Sequence, residues 1–286
     1  MRMQVYSFAI SEKDAILERM TGSSSMIEKA RSLWTAYVPE KKEGLVIAGV
    51  DSSWNYFPYL GYYVYAVDAV CMTRESRDVV PPLVDVGVGI FPLKDEYGIA
   101  YNPRLALQSK GMEFEYLLAK EGSKSSDFIL IDGSVLARFY DRREKHTITF
   151  YEYARDLMKE SNAVFVSKRS DSTQLLGAPV GDIHYFDKAS SDAGYSQPYY
   201  DPIGVSVFYA RLSDHSPCLR VEVPGEMKEG GQKDVVDVLG GSSVDGYPYE
   251  LRIAHESCVV SNGDMERLVD MLGLTGETGG REVLGE

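Results

Sequence analysis

The sequence lacks several features that mark whole classes of protein. It has only three cysteines, widely spaced and without a CxxC pair, which argues against a disulfide scaffold or a zinc ribbon and favours a reducing compartment. No run of about 18 apolar residues occurs, so we expect a cytoplasmic protein with neither a signal peptide nor a membrane span. The patterns GxxxxGK[ST], GxGxxG and GxSxG are also missing, so nothing indicates an NTPase, a dinucleotide enzyme or a serine hydrolase.

Basic residues are scarce as well. The chain has 30 Lys and Arg against 43 Asp and Glu, a net charge of −13, which argues against general binding of polyanions but is compatible with an acidic catalytic cluster. Hydrophobic residues make up 44% of the 286 residues, enough for a buried core, and no repeat or linker is evident. We therefore predict one domain over 1–286, with a helical arm at 1–44, a core at 45–272 and a flexible tail at 273–286.

Two apolar runs each end in an aspartate that is followed by small residues. Asp51 ends the run at 46–50, and Asp132 ends the run at 128–131. If the two buried strands pair in parallel, the carboxylates lie roughly 5 Å apart at the same level of the sheet. Carboxylates that close repel each other unless a cation lies between them, so the pair predicts a divalent-metal site. The alternative is that each aspartate caps a turn or a helix.

The order of the predicted elements indicates an α/β fold. Strands at 45–51, 59–72 and 84–91 follow one another closely and predict an antiparallel meander. A helix at 103–120 then leads to a strand at 128–132, and such a crossover favours parallel pairing with an earlier strand. This order resembles the ribonuclease H-like arrangement, a mixed sheet of antiparallel meander and parallel strands flanked by helices. Segment 170–202 is predicted to be rich in loops, and the runs at 204–212 and 218–223 are predicted to form a hairpin.

The helix between the two aspartates offers a third carboxylate, either Glu113 or Glu115. Residues two apart on a helix face different ways, so only one of them is expected at the metal. An all-oxygen ligand set suits Mg²⁺ or Mn²⁺ rather than zinc. Two such ions would activate a water molecule and stabilise the leaving oxygen in phosphodiester hydrolysis.

Two further residues are candidates for the same chemistry. Lys168, at the end of a predicted strand, would neutralise a phosphate, although an exposed lysine without a role is the simpler alternative. His255 lies in a segment marked by tyrosine and proline, where it is either a metal or water contact or a structural histidine.

Taken in order, these motifs resemble the NurA nuclease family. The resemblance rests on residues 49–53, the acidic helix, residues 129–134, residues 166–168 and residues 247–255, and it spans residues 45 to 272. It implies a ribonuclease H-like core and a Mn²⁺-dependent DNA nuclease that acts on single strands and from 5′ ends. It also implies a ring- or clamp-like homodimer and a hexameric HerA-type DNA translocase as the partner in resection of broken DNA ends for homologous recombination.

The resemblance also assigns roles to individual residues. Asp51 and Asp132 match the metal aspartates, Glu113 or Glu115 the helix carboxylate with Glu113 favoured, Lys168 the phosphate-side lysine and His255 the late histidine. The predicted metal set is therefore Asp51, Glu113, Asp132 and His255, holding two Mn²⁺ ions or Mg²⁺ in their place. Many relatives read Asp-Gly-Ser where this chain reads Asp-Ser-Ser. The rival interpretations are an inactive docking subunit of a translocase complex and another metal-dependent phosphatase, phosphodiesterase or RNase on the same fold.

Overall fold

The computed structural model describes residues 2–21, 24–90, 102–140, 148–159 and 162–276. Its helices are α1 (Met3–Ser11), α2 (Lys13–Thr21), α3 (Ser24–Ser32), α4 (Pro103–Gly122), α5 (Val135–Tyr140), α6 (Ile148–Leu157), α7 (Asp182–Ala189), α8 (Gly231–Gly241), α9 (Tyr249–Cys258) and α10 (Asn262–Met271). Its strands are β1 (Trp34–Ala36), β2 (Ile47–Pro58), β3 (Tyr62–Thr73), β4 (Leu83–Ile90), β5 (Phe128–Asp132), β6 (Ala163–Ser167), β7 (Gly194–Ser196), β8 (Tyr199–Asp201), β9 (Val205–Arg211), β10 (Leu219–Pro224), β11 (Ser243–Val244) and β12 (Tyr247–Pro248). None of the described helices is long and apolar enough to cross a membrane.

The chain folds as two compact units, each assembled from segments that are distant in sequence. The first unit takes residues 1–42, 166–222 and 226–247, and the second takes 43–165, 223–225 and 248–286. The division into an arm, a core at 45–272 and a tail stays a prediction, and residues 277–286 of that tail lie outside the described residues.

The second unit contains the mixed sheet that the sequence predicts. Its strands lie in the order β6-β5-β2-β3-β4. Strands β2, β3 and β4 are antiparallel neighbours, which confirms the meander, and β2 pairs in parallel with β5, which confirms the crossover through α4. The fold class, a mixed α/β sheet flanked by helices, is therefore as predicted. Strand β2 is longer than expected, because it continues from Asp51 to Pro58 as the partner of β3.

Alternation along β3 divides its side chains between the two faces of the sheet. Tyr63, Tyr65 and Val67 lie on one face, where Leu107 of α4 packs against them. The three central residues of β5 are 0–1% exposed, as expected for a strand with neighbours on both sides and helices over its faces.

Helix α4 begins and packs for identifiable local reasons. The Asn102 side chain accepts a 3.0 Å hydrogen bond from the Arg104 amide, and Pro103 occupies the first turn, where its missing N–H costs nothing. In its middle, Gly111 lies so close to β2 that a Cβ atom there would be 2.7 Å from the Ser52 hydroxyl. This close approach brings the acidic part of α4 to the level at which β2 reaches Asp51.

The strands of the first unit lie in the order β1-β7-β9-β10, and β8 also pairs with β9. Its core includes the stacked rings of Phe186 and Tyr209, 4.8 Å apart, and the fully buried Tyr185. The predicted hairpin corresponds to the neighbouring strands β9 and β10. Segment 170–202, predicted as loop-rich, also contains α7, β7 and β8, which the sequence did not predict. The eight-residue α7 carries only four buried residues, too weak a pattern to stand out among the Gly, Ser and Asp around it.

Candidate active site

Asp51 and Asp132 lie side by side in the second unit. The parallel register of β2 and β5 places Val50 opposite Ile131, so the next residue of each strand is an aspartate. Neighbouring strands are about 4.8 Å apart, which makes the two carboxylates close neighbours on one face of the sheet. Asp51 is only 8% exposed. The arrangement expected from the sequence is present.

The surroundings of Asp51 disfavour its charge. Burial raises the pKa of the Asp51 carboxyl, the hydrogen bond with His255 lowers it, and the negative charge of Asp132 raises it again, with a net rise. A positive ion at this point would offset both the burial and the repulsion. The electrostatics therefore fit a cation-binding pair better than two capping aspartates.

His255 contacts Asp51 directly. Its Nδ1 lies 2.7 Å from Oδ2 of Asp51, while Oδ1 of the same carboxylate accepts a 2.8 Å hydrogen bond from the Ser52 amide. The imidazole that donates from Nδ1 keeps a lone pair on Nε2, and the His255 side chain is 62% exposed. Carboxylate-bound histidines of this kind commonly hold metal ions through the other nitrogen.

The contact between Asp51 and His255 depends on how closely α9 approaches β2. A Cβ atom on Gly49 would lie 2.4 Å from the backbone carbon and oxygen of Glu250. Only glycine permits this approach of the first turn of α9. The sequence predicted the histidine but not the helix that carries it, because Pro248 and the tyrosines around it are typical of a loop.

The two glutamates of α4 have different surroundings. Glu115 accepts a 2.5 Å hydrogen bond from the Ser52 hydroxyl, so it is held beside the residue that follows Asp51. Glu113 is half-buried, and its charge acts on Lys110 of the same helix. The side chain of Glu115 therefore contacts β2, whereas Glu113 interacts with Lys110 of its own helix.

Lys168 belongs to the first unit, whereas the other five predicted site residues belong to the second. It directly follows β6 and is exposed. Its Nζ lies 3.9 Å from the centroid of the Tyr247 ring, a cation–π contact. The tyrosine of the 247–255 motif thus holds the predicted lysine, a role that sequence reasoning missed.

Asp68 of β3 is a further acidic residue that was missed. It lies opposite Ser53 and therefore on the same face of the sheet as Asp51, one diagonal step away. Its Oδ1 is buried with no hydrogen-bond partner among the described residues, and burial raises its pKa. The pKa of the buried Cys258 thiol is raised mainly by burial. It is raised further by the negative charges of Asp51, Asp68 and Glu115. The sequence signal for Asp68 is its position as an aspartate inside an otherwise uncharged strand.

These residues fit a divalent cation in charge and in donor chemistry. Two carboxylates at one level and a histidine nitrogen are oxygen and nitrogen donors suited to Mn²⁺. Within the described ranges, no three His, Cys, Asp or Glu side chains are already gathered into a metal-binding group. The pair of Asp51 and Asp132, with His255 against Asp51, is therefore the centre of the candidate site.

Comparisons with known proteins identify the family. The NurA domain profile matches residues 45–260, well over half of the chain. The DNA double-strand break repair nuclease NurA of Saccharolobus solfataricus is 24% identical over 86% of each chain. The protein of the same name from Sulfurisphaera tokodaii is 21% identical over 94% of this chain and 95% of its own length.

Solved structures show the same fold. The crystal structure of the NurA nuclease from Sulfolobus solfataricus superposes with a TM-score of 0.77 at 20% identity, covering 96% of this chain and 97% of the other. A crystal structure of NurA with manganese gives 0.65 at 11% identity, with coverage of 96% and 98%. At these identities the likeness concerns the fold, and the profile match decides the family. This chain belongs to the NurA family.

Proposed function

We propose that this chain is a Mn²⁺-dependent DNA nuclease whose centre is the pair Asp51 and Asp132. The single observation that carries the proposal is their register on parallel strands, where Asp132 raises the pKa of the buried Asp51. Relatives named as DNA double-strand break repair nucleases, and a NurA structure with manganese, support the choice of DNA and of this metal.

The remaining residues have separate roles in the proposal. Bound divalent ions, two in number and replaceable by Mg²⁺, would activate water and stabilise the leaving oxygen. Asp51 and Asp132 provide carboxylate oxygens and His255 its Nε2. Of the two helix residues we favour Glu115, since its hydrogen bond with Ser52 keeps it at β2. Lys168, held against an aromatic ring, provides positive charge for the phosphate.

We further propose single-strand endonuclease and 5′ to 3′ exonuclease activity in concert with a HerA-type hexameric translocase, during DNA end resection for homologous recombination. The net charge of −13 supports a need for such a partner, because an acidic chain repels the DNA backbone. A translocase that feeds the strand into the site removes the need for strong binding by the nuclease alone.

We also propose that the chain forms a homodimer. The outer strand β4 carries a row of exposed apolar side chains, with Val84 67%, Val86 50%, Val88 58% and Ile90 72% exposed. An apolar row on an edge strand favours association, and a second copy of the chain offers the same row in return. Val86→Lys and Val88→Lys should shift the mass measured by light scattering from dimer to monomer, and an unchanged mass would contradict this surface.

The test of the proposed nuclease combines cleavage with metal binding. Wild type should cleave a single-stranded oligonucleotide in Mn²⁺ and not in EDTA, whereas Asp51→Asn and Asp132→Asn should not cleave it. Without metal, Asp132→Asn should be at least as thermally stable as wild type, because its repulsion of Asp51 is gone. Mn²⁺ should raise the melting temperature of wild type and not that of Asp132→Asn.

Three outcomes would contradict the proposed nuclease function. If both variants cleave DNA as wild type does, the carboxylates are structural. If folded wild type stays inert with a translocase present, the chain is a docking subunit. Separate assays on RNA and on a small phosphoester distinguish a DNA nuclease from an RNase or a phosphatase.

A further inference from the structure

A groove of about 580 Å³ opens in the second unit where β2 has passed the candidate site. Its walls come from the second half of β2, the start of α4, helix α10 and the residues after it. Six of its lining residues matter here: Trp54, Tyr56, Phe57, Tyr59, Arg104 and Glu266. The groove is therefore rich in aromatic side chains and poor in basic ones.

The groove exists because β2 is longer than its parallel neighbour. The register of β2 with β5 ends at Val50, whereas the register with β3 continues to Pro58. Among the described strands, none pairs with the other edge of β2 beyond Asp51. This open edge starts at the candidate site. At about 3.3 Å per residue, Trp54 lies roughly 10 Å and Phe57 roughly 20 Å along the strand from Asp51.

The rings along this edge are accessible, and Tyr56 and Tyr59 are held by neighbouring tyrosines. All four are only half-buried. Tyr59 stacks on Tyr62 with centroids 5.0 Å apart, and Tyr56 packs edge-on against Tyr63 at 5.7 Å. The Tyr56 hydroxyl also accepts a 3.4 Å hydrogen bond from Nε of Arg104. Rings held in this way lose little freedom when a flat ligand stacks on them.

The charges of the groove select between the two parts of a nucleotide. Arg104 is the one basic residue among the described residues that line it, and Glu266 and Asp270 of α10 are acidic. Two carboxylates disfavour a row of phosphates but accept hydrogen bonds from the exocyclic amines of bases. Aromatic faces stack on bases of any sequence.

We propose that this groove binds the unpaired bases of the strand being cleaved, by stacking, and so positions that strand along β2. The inference rests on the proposed nuclease function, since it is the continuity of the open edge with Asp51 that identifies a nucleic-acid strand as the occupant. Base stacking also lets an acidic chain hold a single strand with few phosphate contacts. Duplex DNA, whose bases are already stacked and paired, does not fit this mode of binding.

Binding of a ten-nucleotide labelled adenine oligonucleotide, in EDTA so that it is not cleaved, measures the stacking. The comparison ligand is an abasic strand with the same number of phosphates. Phe57→Leu keeps an apolar side chain but removes the ring, and Phe57→Tyr keeps the ring. Tyr59→Leu repeats the test elsewhere in the groove, and Tyr200→Leu removes a 49% exposed ring of the first unit as the matched control.

Wild type should bind the adenine strand at least about tenfold more tightly than the abasic strand. Phe57→Leu and Tyr59→Leu should each weaken binding of the adenine strand by roughly 5- to 100-fold and leave binding of the abasic strand unchanged. Phe57→Tyr and Tyr200→Leu should bind as wild type does.

Equal affinity of wild type for the two strands, or wild-type affinity in both leucine variants, would overturn the inference. Hydrolysis of the p-nitrophenyl ester of thymidine 5′-monophosphate by wild type in Mn²⁺ tests the nuclease separately, because this ester is too short to extend from Asp51 to Phe57, roughly 20 Å along the strand. Base stacking in the groove can therefore be refuted while the proposed nuclease function stands. The nuclease function can likewise be refuted while base stacking stands.

Discussion

Gly49→Ala is the most informative single substitution, because it separates α9 from β2 without touching a functional side chain. The added Cβ would lie 2.4 Å from the carbon and oxygen of the Glu250 carbonyl, whereas ordinary contact begins at 3.4 Å. Helix α9 therefore has to move by about 1 Å, since 3.4 Å minus 2.4 Å is the shortfall and neither partner is a flexible side chain. Overpacking of this kind costs about 1–3 kcal/mol in the free energy of unfolding.

The same shift reaches the candidate active site. His255 lies on α9, and its Nδ1 is 2.7 Å from Asp51, so a displacement of about 1 Å breaks this hydrogen bond. Misplacing a reacting group by about 1 Å costs on the order of a hundredfold in rate. We therefore expect Gly49→Ala to unfold at lower urea concentration and to cleave single-stranded DNA about a hundredfold more slowly, at a temperature where circular dichroism shows it folded.

Gly263→Ala is the matched control. It lies in the first turn of α10, where the nearest atom to an added Cβ would be the Ser261 Oγ at 3.7 Å. This variant should cleave DNA as wild type does, with stability unchanged or raised by up to about 1 kcal/mol. If Gly49→Ala matches Gly263→Ala in both stability and cleavage, the close contact between β2 and α9 does not position His255.

Three other predictions concern single side chains. Glu115→Gln should reduce Mn²⁺-dependent cleavage more than Glu113→Gln, because only Glu115 hydrogen-bonds Ser52, and the reverse ranking would make Glu113 the ligand. Lys168→Met should lower kcat/KM for DNA while leaving the Mn²⁺-induced rise in melting temperature unchanged, and Lys168→Arg should restore most of the rate. Asp237→Asn should lower the urea midpoint at pH 7, because the folded protein stabilises the Asp237 carboxylate. Burial alone would raise the pKa of Asp237, but the hydrogen bonds that the carboxylate accepts give a net lowering of this pKa. That stabilisation is complete above the unfolded pKa of about 3.9 and is lost as the pH falls from there through the lower folded pKa, so the difference between variant and wild type should shrink below about pH 4.

The sequence allowed prediction of the second unit because each of its strands carries its own signal. The apolar run at 128–131 is too short and too β-branched for a helix, and Pro103 and the glycine at 122 mark the ends of α4. Parallel pairing of β2 with β5 then followed from the crossover rule. Assembly of the first unit from segments at 1–42, 166–222 and 226–247 could not be predicted, because no local pattern shows which distant segments pack together.

The residues of the candidate site also differ in whether a local sequence pattern predicts their position. The proximity of Asp51 and Asp132 could be predicted because each follows an apolar strand segment, and the crossover rule favours parallel pairing of these segments. Asp68 was overlooked because its place on the same face depends on the register of β3, which is set by the turn at 59–61 rather than by any motif. The Tyr247 ring beneath Lys168 joins residues 79 positions apart, and nothing in either segment specifies that contact.

The length of β2 links the predicted and the unpredicted parts of the site. The sequence placed the end of this strand at Asp51, since polar and aromatic residues replace the aliphatic run there. The structure continues it to Pro58, with β3 on one side only. A strand that ended at Asp51 would place the two carboxylates together but would not form the groove. The extension adds an open edge with aromatic side chains, so in our proposal the change in composition at residue 52 separates the metal pair from the surface that binds the strand.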